Sequence, residues 1–152
     1  MDFAVIAAPI VGIVALLFAF YKASSIEKVS PGNDRMKEIA SYIEEGAMAF
    51  LKREYNALSI FVIALFIILA LAINWKTAVS FLLGAIFSVL AGYFGMKVAT
   101  KANVRTANSA MESGMNKALT VAFSGGAVMG MSVVGLGILG VGVLYILFPD
   151  PS

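Results

Sequence analysis

Four long stretches of this chain carry no charged side chain: residues 3–21, 57–73, 78–96 and 118–148. A bilayer's hydrocarbon core, about 30 Å thick, is crossed by about 20 apolar residues in helical form. Inside it, every backbone polar group must find its partner within the protein. The four stretches therefore predict an all-α integral membrane protein with four transmembrane helices. Composition agrees, being 61% hydrophobic and only 13% charged, whereas a soluble domain is about one-quarter charged. The first stretch follows Asp2 rather than a basic segment and precedes no A-x-A site, so it reads as a span rather than a cleaved signal. The expected division is transmembrane helix 1 over 1–22, a cytoplasmic loop and amphipathic helix over 23–56, and transmembrane helix 2 over 57–74. Transmembrane helix 3 over 77–97, a second cytoplasmic loop over 98–117 and transmembrane helix 4 over 118–148 complete it.

The basic residues set the expected orientation. Lys22, Lys28, Arg35, Lys37, Lys52 and Arg53 fall in the first inter-span segment, and Lys97, Lys101, Arg105 and Lys117 in the second. Lys76 alone falls on the opposite side. Cytoplasmic loops carry the Lys and Arg excess, so both segments are expected in the cytoplasm and both termini outside. The net charge of +2 is too small to point to a nucleic-acid partner.

Small residues recur along the spans at helical spacing. Ala4, Ala8, Gly12, Ala15 and Ala19 make a ridge on the first, and Gly84, Ser88, Ala91, Gly92, Gly95 and Ala99 on the third. Such faces let helix backbones approach closely where lipid supplies no hydrophobic drive. On the fourth, Gly126, Gly130, Gly137 and Gly140 project to one side at 100° per residue and Gly135 and Gly142 to the other. That pattern predicts a helix packed on two sides. At 1.5 Å per residue this span would be roughly 46 Å long, so its first turns, with Thr120, Ser124, Gly125 and Gly126, are expected to project into the cytoplasm or lie against protein.

Between the first two spans, Ser30-Pro31-Gly32-Asn33 interrupts the chain, and Asn33 or Asp34 is suited to cap a new helix. Met36, Ile39, Ala40, Ile43, Ala47, Phe50 and Leu51 then recur with helical period, and no proline follows until well beyond residue 73. Two forms are compatible with this: one continuous helix from 34 to 73, which we expect, or an in-plane interfacial helix hinged near Tyr55-Asn56.

Candidate chemistry is sparse. There is no cysteine and no histidine, which removes disulfides, thiolate metal sites and the usual general base. Ion transport ordinarily leaves an ionisable residue inside a span, and the four stretches hold none. Asp34 and Glu38 stand four apart and in principle suit a divalent ion, but acids in a first helical turn are already favoured by the macrodipole. Lys101, Arg105 and Lys117 form an anion-attracting set, although basic residues at a cytoplasmic rim need no ligand to explain them. No residue is therefore assigned as catalytic, cofactor-binding or metal-binding. The fourth span's glycine density is similar to the inner helix of a rotary ATP synthase c-ring, but those subunits need a mid-membrane carboxylate that neither neighbouring span provides.

Three segments carry a specific resemblance. GNDRMKEIASYIEEGAMAFLKREY (32–55), FLLGAIFSVLAGYFGMKVATKANVRTA (81–107) and VAFSGGAVMGMSVVGLGILG (121–140) resemble the N-terminal region of the membrane-bound, ion-pumping inorganic pyrophosphatases. The resemblance covers nearly everything from about Pro31 onward, and the first span matches in character only. It implies homodimers of roughly sixteen transmembrane helices per subunit in the plasma membrane. Such pumps hydrolyse cytoplasmic pyrophosphate as a magnesium complex, some with K⁺ stimulation, and move Na⁺ or H⁺ outward. The expected topology agrees with that family, whose N-terminus faces away from the cytoplasm.

The family's aspartate-rich pyrophosphate and Mg²⁺ motifs, and its charged ion gate, lie on later helices with no counterpart among these residues. The residues separating Na⁺ from H⁺ pumps, and K⁺-stimulated from K⁺-independent members, lie there too. The expected identity is thus the N-terminal four-helix portion of such a pump, forming structural outer-ring helices and inactive alone. Its partners would be the lipid bilayer and the remaining pump helices. The alternative from another class is a free-standing four-helix membrane scaffold or accessory subunit.

Overall fold

The computed structural model describes residues 3–148, with side chains described from Ala7 onward. Asp2, Asp150 and the Ala4 side chain lie outside the described residues. Four helices account for nearly all of it: α1 (Phe3–Glu27), α2 (Asp34–Ala72), α3 (Trp75–Ser113) and α4 (Met115–Leu147). Each is long and apolar enough to cross a membrane. They stand in a row in the order α1, α4, α3, α2, with α1 also touching α3 along one edge. The helix that comes last in the chain therefore sits between α1 and α3.

Local signals place the ends. The Asn33 side chain accepts a hydrogen bond from the Met36 N–H at 2.9 Å and starts α2, and Asn74 does the same for Thr77 at 2.8 Å to start α3. An N-cap of this kind satisfies one of the donors that a helix start leaves unpaired. Asp34–Ala72 is one uninterrupted helix, the continuous form of the two weighed for that region. At 1.5 Å per residue, α2 and α3 are each about 58 Å long, roughly twice the hydrocarbon thickness. Their basic halves thus extend well past their apolar ones.

The second inter-span segment departs from expectation. In place of a loop over 98–117, α3 runs through Ser113 and α4 begins at Met115, leaving Gly114 as the single non-helical residue. No glycine or proline interrupts α3 after Gly95, and Gly114 has φ of +82°, a conformation glycine adopts without a Cβ penalty. The buried residues here are Thr100, Ala102, Asn108 and Ser109. Because three of the four are polar, the buried face makes no apolar stripe to betray the helix. Likewise α1 continues past residue 22 to Glu27, confining the first connector to 28–33.

The small residues behave as spacers, but not in the sets expected. Gly135 and Gly142 back onto α1, where a Cβ on Gly142 would lie 2.8 Å from Cδ of Pro9. Gly140 lines the same α3–α4 groove as Gly137 but lies nearer to α3. Its Cβ position lies 2.8 Å from the Phe87 ring, while a Cβ on Gly126, Gly130 or Gly137 would meet nothing within 4 Å. On α3 the ridge also divides: Gly95 faces Met129 of α4, Gly92 faces Tyr55 of α2, and Gly84 is open. Packing of α4 on both α1 and α3 is nevertheless observed. Ala15 and Ala19 of α1 are buried, and Ala19, Ile26, Ala102 and Val128 form a small core where α1, α3 and α4 meet.

Candidate functional site

Of the four side-chain hydrogen bonds that join distant segments among the described residues, three lie at the basic end of the row, where they hold the end of α1 and the 28–33 connector against α3. Pro31 and Gly32 keep that connector out of helix, Gly32 having φ of +84°. A Cβ there would lie 2.7 Å from Oδ1 of Asn108, so the backbone passes directly over α3. Arg105 donates from Nε to the Val29 carbonyl oxygen at 3.0 Å and from a terminal nitrogen to the Lys101 carbonyl oxygen at 2.9 Å. The buried Asn108 amide donates to the Ser30 carbonyl oxygen at 3.4 Å. Lys101 donates to the Glu27 carboxylate, closing the end of α1 onto the same stretch of α3. That hydrogen bond, and then the lysine's charge, hold the Glu27 carboxyl below its ordinary value of 4.5.

The residues singled out for ligand chemistry are therefore occupied locally. Asp34 is paired with Lys37 at 2.9 Å and Glu38 with Arg35 at 2.7 Å, and Glu38 also accepts from the Tyr42 hydroxyl. Lys101 and Arg105 are engaged by Glu27 and the Val29 carbonyl, so the set with Lys117 does not stand free for an anion. As for Mg²⁺, a hard cation wants several converging oxygens. Among the described residues no three acidic side chains come together, and the two considered are neutralised by their own helix. These side chains do not fit a resident magnesium site.

Two further contacts leave little trace in the sequence. The Tyr55 hydroxyl donates to the Val89 carbonyl oxygen at 2.9 Å, tying α2 to α3, and Gly92 leaves room for it. Asn108 and Ser109 are buried at the connector, their only sequence signal being small polar residues at adjacent positions in a stretch otherwise suited to helix.

Long apolar helices, backbone approach at glycine and polar contacts that serve packing define a polytopic α-helical membrane protein. Residues 13–152 match the family model described as inorganic H⁺ pyrophosphatase. The chain belongs to that family. A Clostridium tetani protein inferred to be a K(+)-stimulated pyrophosphate-energized sodium pump is 59% identical over 148 residues, 97% of this chain and 22% of that protein. A K(+)-insensitive pyrophosphate-energized proton pump of Methanosarcina mazei is 47% identical over 152 residues, 99% of this chain and 22% of its own length. The Thermotoga maritima K(+)-stimulated pyrophosphate-energized sodium pump is 44% identical over 140 residues, 91% of this chain and 19% of its length. The chain thus spans about a fifth of the length of these relatives, which include both sodium and proton pumps.

Proposed function

We propose that these helices are the N-terminal structural region of a pump that couples pyrophosphate hydrolysis to outward movement of Na⁺ or H⁺. The observation that carries this reading is the combination of a match along nearly the whole chain with coverage of only about a fifth of each relative. The region's work is mechanical. Close-packed α1, α4 and α3 form a bracing wall, and the connector lock fixes its basic end. Hydrolysis, Mg²⁺ and K⁺ binding and the ion path belong to helices outside the matched region, and no catalytic or ligand-binding residue is placed within this one. Orientation follows the basic residues, with segments 22–56 and 97–117 in the cytoplasm of a plasma-membrane protein and both termini outside. In the assembled pump the partners are pyrophosphate, the lipid bilayer, the remaining helices and a second subunit.

The test compares this chain alone with a chimera in which it replaces the matched segment of the Clostridium tetani relative, both in liposomes with Mg²⁺, K⁺ and Na⁺. Phosphate release and Na⁺ uptake are expected from the chimera and not from the chain alone. An inactive chimera, with the parent relative active under the same conditions, would refute the reading. So would pump-like turnover by the isolated chain.

A further inference from the structure

Where α1 and α3 converge over α4 they leave a groove of about 210 Å³, at the basic end of the first and third apolar stretches. Leu16, Phe20 and Ala23 form one wall, Phe94 and Val98 the other, and Val128 lies in the floor. The neighbouring Ser132 hydroxyl donates to the Val128 carbonyl oxygen, so the floor presents no unsatisfied donor. Phe20 and Phe94 are 74% and 51% exposed, and the groove opens outward between them. The charges of the basic end stand directly above it. At 100° per residue, Glu27 lies about 40° from Ala23 around α1, and Lys101 and Lys97 lie about 20° and 60° from Phe94 around α3. Lys101 donates to the Glu27 carboxylate. The Lys97 ammonium sits 5.7 Å over the Tyr93 ring and has no carboxylate partner among the described residues. Arg105 is directed at backbone carbonyl oxygens, which leave its charge uncancelled. Nor does α4 supply an acid. One carboxylate thus faces three cations, and both Arg105 and Lys97 act on it electrostatically.

We propose that this groove holds one acyl chain of an anionic phospholipid whose phosphate rests against Lys97, within the surplus positive field of Lys101 and Arg105. Size favours a lipid over a protein segment. A helix is 10–12 Å across, so one laid along the seven-residue rise from Leu16 to Ala23 would fill roughly 800 Å³, several times the space present. A flexible hydrocarbon chain has no such requirement. Charge then selects among lipids. Every tail in the bilayer is as apolar as the groove walls, so an uncharged lipid gains little by leaving the bulk. An anionic headgroup gains the attraction of the surplus cations, in the manner of basic pockets between membrane helices. A free phosphate would meet Lys97 but leave the groove below it unfilled. The site requires only that the chain spans a bilayer, so it goes beyond the pump reading and adds no ligand to the pump's reaction.

The test reconstitutes the chain and the chimera separately in phosphatidylcholine vesicles doped with a phospholipid that carries a diazirine on its acyl chain. After illumination, peptides holding residues 16–23 and 94–98 are expected to carry the label from phosphatidylglycerol at least about fivefold more than from phosphatidylcholine, the preference that one cation near the surface confers. Lys97→Gln should lower the phosphatidylglycerol labelling about fivefold. Lys97 takes no part in the connector lock, so this change does not unfasten α1. Glu27→Gln, which removes the one carboxylate facing the headgroup, should raise the labelling. Glycerol phosphate in solution should not compete. Equal labelling by the two lipids, labelling indifferent to both substitutions, or competition by glycerol phosphate would each overturn the site. So would labelling of the chain that vanishes in the chimera, because protein would then cover the groove. Phosphate release by the chimera is read separately, so the lipid site and the pump reading stand or fall independently.

Discussion

Gly12 of α1 and Gly135 of α4 back onto each other. A Cβ added to Gly12 would lie 2.8 Å from the Gly135 carbonyl oxygen, and one added to Gly135 would lie 3.0 Å from the Gly12 carbonyl oxygen. The two helices meet backbone to backbone there, a geometry open to glycine and closed to larger residues. Gly135→Leu should therefore destabilise the four-helix unit by about 1–3 kcal/mol, the usual penalty for overfilling a packed interior. Gly130→Leu, on the open side of the same helix, should change the isolated chain's stability by less than about 0.5 kcal/mol, as at surface positions free of special contacts. Unfolding in detergent micelles measures both, and equal losses would contradict the assigned packing.

Tyr55 and Gly92 form a coupled pair across α2 and α3. The Tyr55 hydroxyl donates to the Val89 carbonyl oxygen, and a Cβ on Gly92 would sit 3.0 Å from that hydroxyl. Removing one hydrogen bond costs about 0.5–1.5 kcal/mol, which is the expected loss for Tyr55→Phe. Gly92→Ala should cost more in the parent chain than in the Tyr55→Phe background, where the crowding oxygen is gone. A double-mutant cycle reads this directly, and strict additivity would mean that the two residues do not touch.

Arg105 holds the connector by its hydrogen bond to the Val29 carbonyl oxygen. Hydrogen bonds from charged donors contribute about 1.5–3 kcal/mol. Even the lower figure corresponds to about tenfold more of any state in which the connector has lifted. Arg105→Ala should accordingly speed tryptic cleavage after Lys28 about tenfold in the folded protein. Lys117→Ala, in the same basic rim but outside this contact, should leave the rate unchanged.

The membrane class and the number of helices were legible because length and absence of charge are decisive in lipid. Residues 57–73 and 78–96 need no partner to identify them as spans. The second connector was not legible. Thr100, Asn108 and Ser109 are buried at the basic end, where α1 and the 28–33 backbone lie against α3, and a polar residue buried by a distant segment leaves no periodic trace. The glycine pattern of α4 was half legible. Spacing alone separated Gly135 and Gly142 from the opposite side, but which neighbour met which glycine depended on α3 and α1 converging on α4. Gly140, near the edge of its set, went to α3 while Gly126, Gly130 and Gly137 stayed open. Asp34 lies in the first turn of α2 as expected, whereas Glu38 lies beyond it, and the pairing of the two with Lys37 and Arg35 depends on rotamers that spacing does not specify.

Orientation can be tested without background because the chain has no cysteine. Ser30→Cys and Glu112→Cys sit at the basic end, and Ile73→Cys, 61% exposed, sits at the other. In intact cells a membrane-impermeant maleimide should label only Ile73→Cys, and all three should react after permeabilisation. Labelling of Ser30→Cys from outside would reverse the topology argued from the lysines and arginines.

Glu27 and Lys101 give the basic end a pH dependence of known sign. The lysine lowers the folded-state carboxyl from its ordinary 4.5, so folding favours the ionised form. The pair's contribution is therefore fully present above that ordinary value and is lost as pH falls through the lower folded value. Glu27 is solvent-exposed, so water and salt screen the pair and the effect on global stability is small. The measurable quantity is the titration itself. Carboxyl chemical shifts of Glu27 should move with a midpoint below 4.5, and Lys101→Met should shift that midpoint upward. Glu27→Gln should remove the low-pH increase in cleavage after Lys28 by an acid-stable protease. A Glu27 midpoint unaffected by Lys101→Met would show that the ion pair does not form in solution.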